Sequence, residues 1–188
     1  MLIDVDYIRT IRPIAANIDA NRLRIFIEEA EHTYIMDAIG AELYRKLDGF
    51  GPVVLDDEGT ILLDEAGLPI FVNPDAGVTD EEALLLTGGY YTDKCGEMRY
   101  FEGLCKAIAY LAYARLVRGH SINITAYGVV IKEGELSSPA GSREIAASAL
   151  NAEGYGKEYL GRTMAYWNSI GGGNKCAGHR TPRRIIAI

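Results

Sequence analysis

Cys176 and His179 stand three positions apart and form the chain's closest pairing of thiol and imidazole. A structural zinc takes four ligands, usually as two such close pairs. Cys95 and Cys105 have nine residues between them and supply no second pair, so the pattern predicts no metal centre. Ser137, Ser138 and Ser142 lie near Glu144, with His120 a strand earlier and His32 on the first helix. Acyl transfer needs a serine on a G-x-S-x-G turn or a triad assembled in space. No G-x-S-x-G occurs, and the reading predicts no catalytic residue and no enzyme. Asp56-Asp57-Glu58-Gly59 lacks the alternating acids and the distal Glu of an EF-hand calcium loop, so it reads as a solvated turn. Gly171-Gly172-Gly173-Asn174-Lys175 follows a helical stretch, and no helix N-terminus comes after it to hold a phosphate. No cofactor is expected.

What remains is contact chemistry. Twelve tyrosines stand against four phenylalanines and one tryptophan. Tyr90, Tyr91, Tyr100, Tyr110 and Tyr113 gather around one long helical stretch, with Tyr110 and Tyr113 on one side of it. Tyrosine combines a large apolar area with a polar tip, which suits a half-buried core edge and an intersubunit face alike. Tyr90, Tyr91, Tyr110 and Tyr113 are therefore candidate interface residues. A second candidate is the C-terminal stretch from Gly171. It carries Lys175, Arg180, Arg183 and Arg184 without an acid, then Ile185, Ile186, Ala187 and Ile188. Its three glycines decouple it from the preceding helix. The stretch is expected to pack poorly on its own body and to bind a neighbouring subunit through the three arginines and Ile185, Ile186 and Ile188.

Charge is distributed to match. Between Lys46 and Lys94 there are 11 acids and no base, while the whole chain carries a net charge of −7. Such a middle repels a phosphate backbone, which argues against a nucleic-acid reader there. It reads either as a solvated insertion or as the partner of the basic tail of another subunit.

The positioning elements follow from periodicity. Apolar residues at spacings of three and four predict long helices over 19–39, 96–118 and 142–169, with the last started by Ser142. In the first, Leu23, Phe26, Ile27, Ala30, Tyr34 and Ile39 form the apolar stripe, and Glu28, Glu29 and Glu31 are placed mostly opposite. Asp4–Arg12 reads as a short mixed segment closed by Pro13. Ala41–Leu47 is a short helix. Phe50–Val72 is a β-meander or hairpin with two similar acidic turns, Leu55-Asp56-Asp57-Glu58-Gly59 and Leu63-Asp64-Glu65-Ala66-Gly67. Thr79-Asp80-Glu81-Glu82 is a capping box opening a helix through Leu86. Tyr90–Asp93 reads as a loop, Ser121–Glu135 as extended and Leu136–Gly141 as a loop. Gly154, Gly156 and Gly161 fall inside the last helix, where each weakens it unless another element packs very close. The expected fold is mainly α: three long helices and several short ones in residues 1–170, a small β-rich insertion at 51–73, a short extended segment, and a basic tail at 171–188. Its 188 residues make one domain. The early acids of Met1–Asp6 are unlike a signal peptide, no apolar run approaches ~18 residues, and three cysteines fit reduced thiols. These features predict a cytoplasmic chain with no membrane partner.

The order of these features resembles phage and prophage head–tail connector (adaptor, head-completion) proteins. The likeness rests on Ile27-Glu28-Glu29-Ala30 through Tyr44, on Gly88-Gly89-Tyr90 through Arg115, and on Ile124-Thr125-Ala126-Tyr127-Gly128-Val129-Val130 with Ser137-Ser138-Pro139. The insertion at 51–73 departs from the family's minimal helical pattern. The resemblance implies a connector-like helical bundle that forms a ring beneath a portal. It would be located in the virion neck, contact portal and tail-completion proteins, and pass DNA without sequence-specific binding. The alternative reading is a small helical protein-binding or regulatory module without catalysis.

Overall fold

Helices dominate because three apolar stripes share one core. The computed structural model describes residues 1–12, 14, 18–65, 67–73, 77–120, 122–125, 128–131 and 142–171. Helix α1 spans Val5–Ile11, with the Asp4 carboxylate accepting from the Tyr7 amide at 2.7 Å. The 4–12 stretch is thus a capped helix rather than a mixed segment. Helix α2 spans Ala20–Ala30 and is capped by Asp19. It does not run on uniformly to 39. A π-helical stretch over Glu31–Ile35 intervenes before α3, Met36–Ile39. Inserting a π turn rotates the faces that follow it. Both Glu31 and Ile35 are fully buried, which corrects the outward placement of Glu31. Helix α4 covers Ala41–Asp48.

Residues 51–73 form no continuous strand. Isolated bridges join Val53 to Phe71, Leu55 to Ile61 and Leu63 to Pro69. Three amides close a triangle: Val54 donates to the Ile70 carbonyl, Ile70 to Leu62 and Leu62 to Val54, each at 2.9 Å. Every leg therefore satisfies its backbone with the other two. Val53 and Phe71, at the base, are buried with Phe50 in the main core.

Helix α5, Asp80–Thr87, opens on the expected capping box of Thr79 and Glu82. Strands β1, Gly89–Thr92, and β2, Met98–Phe101, then pair antiparallel. Residues 90–93 are therefore not a loop, and the central helix α6 starts later than expected, spanning Gly103–His120. The hairpin bases cross closely: a Cβ on Gly103 would lie 2.4 Å from the Gly88 amide nitrogen. Strands β3, Ile122–Thr125, and β4, Gly128–Ile131, form a second hairpin within the stretch expected to be extended. Helix α7 spans Ser142–Ser169, matching its predicted limits. It lies along α6, whose Leu104, Cys105, Ile108, Leu111, Ala112 and Leu116 are all buried. Burial pushes the Cys105 thiol well above its usual range, as befits a small core residue. The fold is mainly α.

Candidate functional site

The β1–β2 hairpin presents two chemically different faces. Strand pairing sets Tyr90 opposite Tyr100 and Thr92 opposite Met98, so these four share one face. That face is open: Met98 is 76% exposed, Tyr90 69% and Tyr100 49%. The Tyr90 and Tyr100 rings lie 5.1 Å apart. Tyr91 points the other way, into an aromatic cluster in which Phe101 stacks on Tyr166 of α7 at 4.3 Å and Tyr91 meets both edge-on. The Tyr166 hydroxyl donates to the Glu81 carbonyl at 3.3 Å, and burial with nearby Glu81 pushes its pKa up to about 12. The inner cluster ties the hairpin to α7, and the cross-strand pair Tyr90–Tyr100 adds roughly 0.2–1 kcal/mol to the ribbon itself.

The hairpin turn explains why this face is well formed. Asp93 accepts the amides of Cys95 at 2.8 Å and Glu97 at 3.0 Å, and Gly96 takes a positive φ of 83°. The Arg99 guanidinium donates to the other Asp93 oxygen at 2.5 Å. The Glu97 amide, followed by Arg99, holds the Asp93 carboxyl below its usual range. Asp56 with Gly59, and Asp64 with Gly67, build the same turn in the excursion. Asp93-Lys94-Cys95-Gly96-Glu97 is a third copy of the D-x-x-G-x pattern, and that signal would have revealed the hairpin and the outward-facing Met98 from sequence.

Tyr110 and Tyr113 belong to a separate patch. The Arg12 guanidinium lies over both rings, 4.3 Å from the first centroid and 5.1 Å from the second. Tyr110 also meets Tyr159 at 5.0 Å and Tyr155 at 6.1 Å on α7, while Lys106 covers Tyr159. Burial, with the Tyr110 hydroxyl, pushes the Tyr159 pKa up to about 12. The four candidate tyrosines therefore divide three ways: Tyr90 faces out, Tyr91 faces in, and Tyr110 with Tyr113 is half-covered by Arg12. Arg180, Arg183, Arg184, Ile185, Ile186 and Ile188 lie outside the described residues, as do Cys176 and His179.

Two grooves open on the surface. One, of about 650 Å³, runs between Trp167 of α7 and the Ile39–Lys46 stretch. The other, of about 200 Å³, is lined by Asp64, Leu68, Pro69, Ile70 and Phe71 of the excursion, by Val78 and Thr79 before α5 and by Ala83 within it. Among the described residues no group of three His, Cys, Asp or Glu side chains is placed to hold a metal ion. Among them, too, no helix is long and apolar enough to cross a membrane.

A family model matches residues 72–169, from the last leg of the excursion through the hairpin to the end of α7. The chain belongs to DUF6712, a family of unknown function. The DUF6712 match contains the exposed aromatic face and its inner cluster, whereas α1 to α4 and most of the acidic excursion lie before it. No curated protein and no solved structure matches the chain.

Proposed function

We propose that this chain is a structural subunit that assembles with copies of itself into a ring of the head–tail connector type. In this role it contacts portal and tail-completion proteins and lets DNA pass without reading its sequence. The observation that carries the reading is the outer face of the β1–β2 hairpin, where Tyr90, Met98 and Tyr100 are exposed together on a rigid ribbon. Aromatic residues and methionine are enriched at protein–protein interfaces, and a pre-ordered hairpin loses little entropy on docking. The resemblance of α2 to α4 and of α5 to α7 to connector proteins supports the ring as the assembly. An acidic surface around the excursion would repel passing phosphate rather than grip it.

The test is native mass and negative-stain imaging of the full chain, alone and mixed with a portal protein where the gene neighbourhood encodes one. Closed particles of one discrete mass are expected. A Tyr90→Ser/Met98→Ser/Tyr100→Ser chain should still melt cooperatively, with a stability loss of about 1 kcal/mol or less from the Tyr90–Tyr100 pair, and lose the particles. A chain that stays monomeric under both conditions, or a gene neighbourhood without portal and capsid genes, overturns the reading.

A further inference from the structure

We infer that the 200 Å³ groove between the acidic excursion and α5 receives the basic, isoleucine-ended segment Lys175–Ile188 of a neighbouring copy. This goes beyond the aromatic face and holds whether or not the assembly closes into a ring. The groove is too small for an ordinary small-molecule site, which takes about 300–1,000 Å³. It does have room for a branched aliphatic anchor. Leu68, Pro69, Ile70, Phe71, Val78 and Ala83 line it together with Asp64 and Thr79, so it suits an occupant that places an aliphatic group beside a polar or cationic one. Leu63 and Val72, both 57% exposed, extend the apolar strip outside it.

The rim is acidic. Asp64 and Thr79 line the groove, and the exposed Glu65 and Asp80 flank them. The stretch 51–73 carries five acids and no base. Within this chain, Arg180, Arg183, Arg184 and then Ile185, Ile186 and Ile188 have the complementary order, cations followed at once by branched aliphatics. Aliphatic anchors supply affinity, and rim charges steer encounter and orientation.

The connection has the necessary reach. Helix α7 lies beside α5 through the Tyr166–Glu81 hydrogen bond, and the chain passes Gly171 soon after. The seventeen residues from Gly172 to Ile188 extend up to about 55 Å. A body of this length has a radius of gyration of about 16 Å, so the segment spans to the next copy. Groove and segment are two different surfaces of one subunit, which makes the contact head-to-tail.

The experiment uses two full-length charge-reversed chains, E65K/D80K and R180E/R183E/R184E. The turns and the capping box are bonded through Asp56, Asp64, Thr79 and Glu82, which stay in place in both chains, and matched melting curves with the native chain verify folding. Self-association is read by light scattering and by lysine–acid cross-linking from micromolar to about millimolar concentration, where even weak specific contacts register. The native chain is expected to associate with cross-links between 175–188 and 61–80. Each reversed chain alone should lose at least tenfold in association, and raised salt should weaken the native contact. Mixing the two reversed chains one to one should restore association, because each then offers what the other needs. No association of the native chain, unchanged association of both variants, or no recovery on mixing overturns the inference. Failure to recover with intramolecular cross-links would mean that the segment folds back on its own groove. Native particles that persist in both variants sink this contact and leave the hairpin reading standing. Salt-sensitive open chains without rings sink the connector reading and leave this contact.

Discussion

Leu111 on α6 closes directly against Gly156 on α7: a Cβ on Gly156 would lie 2.7 Å from Leu111 Cγ and 3.2 Å from the Ala107 carbonyl oxygen. Gly154 and Gly161, on the same helix, have nothing within 4 Å of that position. One glycine is thus required by packing, and two leave open helix surface.

Substitutions separate the two situations. Gly154→Ala and Gly161→Ala should each stabilise the chain by about 0.5–1 kcal/mol, because alanine restricts the unfolded chain and favours helix. Gly156→Ala should destabilise by roughly 1–3 kcal/mol through overpacking against a buried leucine. In a Leu111→Ala background, itself about 2–5 kcal/mol less stable, Gly156→Ala should cost less than it does alone. Thermal melting of the single variants and the double variant checks the order.

Buried Glu31 predicts a pH dependence. Its carboxylate accepts the Leu2 amide at 2.7 Å and the Tyr44 hydroxyl at 2.7 Å, yet burial raises its pKa above the usual range. The folded chain then holds this proton more tightly than the unfolded chain. The resulting stability is full below the unfolded pKa of about 4.3 and is lost as pH rises through the raised folded value. Glu31→Gln keeps an acceptor and an amide for these partners and should flatten the stability profile above pH ~4. Glu31→Leu leaves the Leu2 amide unpaired and should cost about 1–3 kcal/mol below pH ~4, the cost shrinking as pH rises and the native chain loses its own Glu31 contribution. Urea titrations across pH measure both.

Glu153 acts in the opposite sense. Lys157 at 2.6 Å, Arg118 at 2.5 Å and the Tyr34 hydroxyl at 3.0 Å hold its pKa at about 2. Its contribution is present above the unfolded pKa and is lost as pH falls toward about 2. Glu153→Gln should cost on the order of 1 kcal/mol near neutrality and less in acid. An equal loss at all pH values would contradict the assignment.

The acidic excursion should tolerate shortening only above its base. Replacing 56–68 with a short Gly-Ser turn leaves Val53 and Phe71 in the core and should preserve cooperative melting. Replacing 52–72 removes both side chains and should cost about 2–5 kcal/mol for each, enough to unfold a marginal domain. Calorimetry distinguishes these outcomes.

The sequence alone determined what neighbouring residues control. Thr79 and Glu82 cap each other across one turn, so their box was legible, and so were the limits of α7 and the buried stripe of α6. The N-terminal limit of α6 was missed because Met98–Phe101 has enough apolar character to continue a helical pattern, and only pairing with Gly89–Thr92 makes it a strand. The adjacent tyrosines Tyr90 and Tyr91 looked equivalent until strand alternation sent one to solvent and the other against Phe101 and Tyr166. Glu31 looked like a surface acid by residue type, although it stands one turn after buried Ile27, and only its hydrogen bonds from Leu2 and Tyr44 show how an acid is accommodated there. Tertiary structure decided these last cases because the energy at stake lies in partners 10 to 75 residues away for the aromatic pairs and 13 to 29 for Glu31, beyond the reach of local periodicity.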